Sequence, residues 1–160
     1  MPRTLTTLTL TLAVLLGASA LASAQTIRLS ATLSGANETP ALLTGAAGTA
    51  EVFVNLSTQV VTYRVDVFNM PTVTTAGHFH VGGPGLAGPV VVDLTPPAFS
   101  DDFSLQGTAT ASSLRARPEQ GIRTWTDFVQ ALAGGQIYVN IHSTTNGGGE
   151  IRGQLVPDQQ

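Results

Sequence analysis

The chain of 160 residues has no cysteine and no lysine, and charged residues make up only 11% of it. Without cysteine there are no disulfides, thiolate nucleophiles, redox dithiols or thiolate-held zinc or iron–sulfur sites, so hydrophobic packing must hold the fold unaided. Without lysine, arginine is the only strong cation, and no basic patch of the kind that phosphate binding requires can form; a nucleic-acid partner is not expected. There is no G-x-S-x-G elbow, and no histidine has an obvious serine and aspartate partner, which leaves serine-hydrolase chemistry without support. The glycine-rich stretch 82–88 follows a strand-like run without opening a helix, so it reads as a turn and not as a phosphate loop. No internal repeat or heptad is present.

The N-terminus reads as a secretory signal. Arg3 supplies the positive region, residues 8–21 the apolar stretch, and Ala22-Ser23-Ala24 an A-x-A cleavage site that makes Gln25 the mature N-terminus. The apolar stretch is short for a membrane span, and no later segment is long and apolar enough to cross a bilayer. Residues 25–160 are then one domain with one core, carrying 6 Arg against 10 Asp and Glu for a net charge near −4. These features predict a secreted or periplasmic protein of the cell envelope.

The remainder is rich in Gly, Thr and Val and poor in helix formers. Short alternating runs lie between turn residues at 27–33, 50–56, 61–67, 90–94, 103–111, 136–142 and 150–155, with a further one through the histidines at 77–83. This spacing predicts an all-β fold, an antiparallel sandwich or barrel, of which an antiparallel β-sandwich, Greek-key-like and similar to superoxide dismutase or immunoglobulin domains, is the reading preferred. The runs 50–56 and 61–67 read as a hairpin, as do the last two, joined through Asn146-Gly147-Gly148-Gly149. One short helix is expected at 125–132, with Thr124 as its N-cap and Gly134 as its stop; Trp125 and Phe128 form its apolar face. Asn37-Glu38-Thr39 and Asn55-Leu56-Ser57 fit glycosylation sequons, which matter only in a host that glycosylates.

All three histidines fall in phase on strand-like runs. His78 and His80, two apart, share one face of their strand while Gly77, Phe79 and Val81 take the other. In Ile137-Tyr138-Val139-Asn140-Ile141-His142 the isoleucines and Val139 share one face, and Tyr138, Asn140 and His142 the opposite one. If the two strands are neighbours, three imidazoles converge on one patch of sheet. Three neutral nitrogen donors match a zinc or copper site, and the all-nitrogen set argues against calcium, magnesium and iron–sulfur clusters. The Irving–Williams order favours Cu(II) over zinc, and an envelope compartment does not sequester copper as cytosol does. The fourth position is left to water, Glu38, Glu150 or Asn140. Glu150 and Arg152, opposite Ile151, are read as an ion pair or, with Asn140, as groups that orient the ligands. Occupancy is expected to fall as pH drops through about 6, because imidazole must be deprotonated to bind. The bland alternative is that these are solvated strand histidines, or that they stabilise loops.

Residues 33–40 (Leu-Ser-Gly-Ala-Asn-Glu-Thr-Pro), Gly77-His78-Phe79-His80 with Gly88-Pro89-Val90-Val91, residues 138–143, and Gly149-Glu150-Ile151-Arg152-Gly153-Gln154 together resemble the CHRD domain. That domain is named from chordin, an extracellular antagonist of bone morphogenetic proteins, and it occurs alone in many exported bacterial proteins. The resemblance covers nearly the whole mature chain and implies an extracytoplasmic β-sandwich; it establishes no enzymatic activity. The H-x-H strand also resembles copper-zinc superoxide dismutase, but three histidines cannot form a bridged two-metal site and the cysteine pair of that family is missing. Three readings follow: a binder of a single copper or zinc ion; a non-catalytic adhesion or interaction module with an envelope or extracellular protein as partner; and, third, a copper-dependent oxidoreductase.

Overall fold

The computed structural model describes residues 25–158; the signal sequence and its cleavage site, read at 1–24, lie outside the described residues. Nine strands and one helix follow in order: β1 (Thr26–Ser34), β2 (Ala47–Asn55), β3 (Val60–Met70), β4 (Thr74–Val81), β5 (Val90–Leu94), β6 (Asp101–Ala109), α1 (Trp125–Ala133), β7 (Ile137–Ser143), β8 (Ile151–Gln154) and β9 (Val156–Pro157). The pairing path is β5-β4-β7-β8-β1-β2-β3-β6, with β9 added on β1. Every pairing is antiparallel. The fold is all-β with one short helix, as the spacing of alternating runs predicts. The strands form one continuous path that curls over on itself into a nearly closed, flattened barrel. Contact across the interior is direct: Tyr63 on β3 meets Phe79 on β4 edge to face, with ring centroids 5.6 Å apart.

Alternation fixes which residues enter that interior. Val61, Val65 and Val67 of β3 and Val52 and Val54 of β2 are buried, while Thr62, Arg64 and Phe53 face out. The β2–β3 hairpin runs in unbroken register from Ala47↔Phe68 to Asn55↔Val60. Its turn is held by Asn55, whose Oδ1 accepts from the backbone N–H of Ser57 (3.0 Å) and Thr58 (2.9 Å). α1 is capped as its sequence requires: Thr124 Oγ1 accepts from the Asp127 N–H at 3.2 Å, and Asp127 Oδ2 accepts from the Thr124 N–H at 2.8 Å. Trp125, Phe128, Val129 and Leu132 form its buried face, and Phe128 stacks near Phe79. The helix thereby closes the core beneath the histidine strand.

β7 departs from simple alternation, since all seven of its residues are buried. Ile137, Val139 and Ile141 point into the core. Tyr138, Asn140 and His142 point the other way, where the loops 35–44, 82–89 and 144–149 cover them. The loop 82–89 comes this close because residue 88 is glycine: a Cβ there would lie 1.7 Å from the Val81 carbonyl oxygen.

Candidate metal centre

β4 and β7 are neighbours, so the condition for the histidines to meet is satisfied. His78 stands opposite Asn140, His80 opposite Tyr138 and Ala76 opposite His142; β8 continues the face with Arg152 opposite Asn140 and Gln154 opposite Tyr138. Ring nitrogens of His78, His80 and His142 lie within 4.8 Å of one another. The patch is not the open sheet surface that the sequence suggests. His80 and His142 are each 8% exposed, and only the His78 side chain, at 19%, reaches solvent appreciably.

His80 and His142 each have one nitrogen turned to a backbone carbonyl, which assigns their tautomers. His80 Nδ1 lies 2.8 Å from the Gly88 carbonyl oxygen and His142 Nδ1 lies 3.0 Å from that of Gly147. A carbonyl only accepts, so both Nδ1 atoms carry the proton and both Nε2 atoms keep a lone pair. His78 Nε2 lies at ion-pair distance, 3.5 Å, from Asp93 Oδ1, and its Nδ1 donates to the unprotonated His142 Nε2 at 2.9 Å. His80 Nε2 is buried without any partner. The three inward nitrogens are therefore His78 Nδ1, His80 Nε2 and His142 Nε2. Metal–nitrogen bonds of about 2.0–2.1 Å put tetrahedral donors roughly 3.3 Å apart, so small ring tilts bring these three to a common ion.

Burial holds all three imidazoles below the ordinary histidine value, and His80 is pushed down to about 4. Asp93 opposes the shift at His78, and the Gly147 carbonyl opposes it at His142. The set is neutral at pH 7, the protonation state that coordination requires.

The surrounding polar groups divide differently from the sequence reading. Arg152 does not pair with Glu150; its Nε donates to Glu38 Oε2 at 2.8 Å, with both side chains under a tenth exposed. The guanidinium also lies over the Tyr138 ring, 4.7 Å from its centroid, and that ring stacks on His80 at 4.9 Å. Glu150, fully buried, instead accepts from Thr44 Oγ1 (2.5 Å), Ser143 Oγ (2.7 Å) and Asn146 Nδ2 (2.6 Å). Burial works to raise its carboxyl, but these bonds outweigh it and hold the carboxyl below its usual range. Glu150 thus ties the loops 35–44 and 144–149 together and presents Gly147 to His142. Asn140, between His78 and Arg152, keeps a buried Oδ1 with no partner, and so does Glu38 at Oε1.

Sequence reasoning missed Asp93 and the two carbonyls. Asp93 sits in the otherwise apolar run Val90-Val91-Val92-Asp93-Leu94, paired opposite His78 and bound by Arg115 Nε at 2.6 Å. A carboxylate interrupting a buried strand is a signal, but it acquires meaning only from the β4–β5 pairing.

Neither the curated proteins nor the solved structures gave a match. The family model described as the CHRD domain matches residues 29–155, from the middle of β1 to the end of the β8 region. That span takes in every strand of the histidine face, and the chain belongs to the CHRD domain family.

Proposed function

We propose that this CHRD domain binds a single transition-metal ion through His78 Nδ1, His80 Nε2 and His142 Nε2, with copper favoured over zinc, and that it does so outside the cytoplasm. The observation that supports it is the pairing of a buried, partnerless His80 Nε2 with an acceptor behind each of the three rings. An isolated buried polar atom costs about 1–3 kcal/mol, and an acceptor behind each ring is the arrangement that orients histidine ligands. The donor set fits the ion: three neutral nitrogens, no thiolate, and a first-row preference that rises to Cu(II). Such a site suits metal capture or storage, since two of the three histidines are buried and only His78 reaches solvent appreciably.

The test is metal analysis of protein purified without a histidine tag after exposure to equimolar copper and zinc. One equivalent of metal, lost in His80→Ala, is the expected result. A wild-type protein that retains no metal, or a His80→Ala variant that retains as much, would contradict it and leave the interaction-module reading in its place.

A further inference from the structure

The loop between β7 and β8 holds the only Asn-Gly pair of the chain, Asn146-Gly147. In such a pair the following backbone nitrogen reaches the asparagine side-chain carbon most easily, because glycine has no Cβ in the way. Gly147 and Gly148 are exposed, and no backbone acceptor among the described residues takes the Gly147 N–H. The nucleophile is open to solvent.

Asn146, by contrast, is pinned. Its Nδ2 donates to Glu150 Oε2 at 2.6 Å and its backbone N–H donates to Ser143 Oγ at 2.9 Å. Its carbonyl accepts from the N–H of Ser143 (3.3 Å) and of Gly149 (3.0 Å). Ser143 Oγ donates in turn to the same Glu150 oxygen at 2.7 Å. Attack on the side chain requires the carboxamide and the next peptide to rotate into line, and these bonds resist both rotations.

We propose that Asn146-Gly147 is a self-modification site of the succinimide type, held off in the folded protein by Glu150 and Ser143, and that its conversion releases the loop 144–149 from the histidine face. The Gly147 nitrogen loses its proton to hydroxide and attacks Asn146 Cγ; the Cγ–Nδ2 bond breaks and the nitrogen leaves as ammonia, taking a proton from water. Water then opens the cyclic imide on either side, giving an aspartate or an isoaspartate at position 146. Either product sets a carboxylate where buried Glu150 had an amide donor, and like charges that close repel. The isoaspartate also inserts its methylene into the backbone just ahead of Gly147, whose carbonyl accepts from His142 Nδ1 at 3.0 Å. Both steps are independent of whether the histidines hold a metal.

The experiment incubates the untagged protein in mildly alkaline buffer, folded and in urea, and follows position 146 by peptide mass mapping. Conversion in the folded wild type should run at least roughly tenfold slower than in urea, the reduction that a modest cost of local opening imposes. Glu150→Gln removes the charged acceptor and Ser143→Ala the hydroxyl, and each should bring the folded rate severalfold closer to the rate in urea. Ser143→Ala provides the reading if the Glu150 variant does not fold. Asn146→Asp should unfold at lower urea concentration and exchange the Ser143 and Gly149 amide protons faster, since both donate to the residue 146 carbonyl. A folded wild type that converts as fast as the unfolded chain, or variants that stay at the wild-type rate, overturns the guarding role of Glu150 and Ser143. An Asn146→Asp protein with unchanged midpoint and exchange overturns the release of the loop. Absence of conversion in urea overturns the site itself.

Discussion

His78 Nδ1 lies 2.9 Å from His142 Nε2, although the acceptors behind the two rings, Asp93 and the Gly147 carbonyl, favour a lone pair on each of those nitrogens. Two lone pairs at that distance repel. Without a cation, His78 must move its proton to Nδ1 and donate to His142, giving up its alignment with Asp93. With a cation between them, all the acceptors behind the rings are satisfied at once.

Asp93 therefore acts on metal affinity through His78. Asp93→Asn should weaken binding roughly 10–100-fold, the usual effect of removing a group that orients a histidine ligand. The melting temperature of the metal-free protein should hardly move, because the Asp93 side chain is 45% exposed. Competition titration against a chelator measures the first quantity and calorimetry the second.

Acid should destabilise the metal-free protein through His80. Its folded-state value of about 4 lies below the unfolded value of 6.5, so the unfolded chain takes up the proton first. The stability of the neutral form is fully present above pH 6.5 and is lost as pH falls through about 4, by roughly 3 kcal/mol in all. Urea unfolding in chelator at pH 7 and pH 4.5 should show the loss, and His80→Asn should reduce it. The same lowering at all three rings moves proton competition for the metal below the pH of about 6 expected for free imidazoles.

The Glu38–Arg152 pair should behave as a buried ion pair. Arg152→Met strands a buried carboxylate and should cost about 3–5 kcal/mol, whereas Glu38→Gln with Arg152→Met should cost less than the sum of the single changes. A double-mutant cycle by chemical denaturation that returned purely additive effects would count against the pairing.

Gly88→Ala should damage stability and metal binding together. Its Cβ collides with the Val81 carbonyl, and relief requires the loop to move away, taking the Gly88 oxygen from His80 Nδ1. The expected outcome is a destabilisation of a few kcal/mol together with weaker metal binding; unchanged values for both would show that the loop position is unimportant.

Much of this was legible in the chain itself because a strand's period is two. Phe79 and the odd-numbered residues of β7 are the core-facing positions, so the histidines had to take the other face, and pairing of β4 with β7 joined them. The extents of β5 and of the α1 core, and the Thr124 cap, follow from local pattern in the same way. What lay beyond reach were the contacts between segments distant in sequence. Arg152 had two carboxylates in view, and only the path of the loop 35–44 decides for Glu38 over Glu150. The burial of the histidine face is likewise set by three loops whose glycines reveal close approach but not what they approach. Carbonyl acceptors such as Gly88 and Gly147 leave no mark in side-chain chemistry at all.

The most direct test is a crystal structure of the untagged protein soaked in copper, with anomalous scattering recorded at the copper edge. A single peak within about 2.2 Å of His78 Nδ1, His80 Nε2 and His142 Nε2 is the predicted result. A peak elsewhere, or none at full soaking, would contradict the assignment of these three imidazoles as ligands.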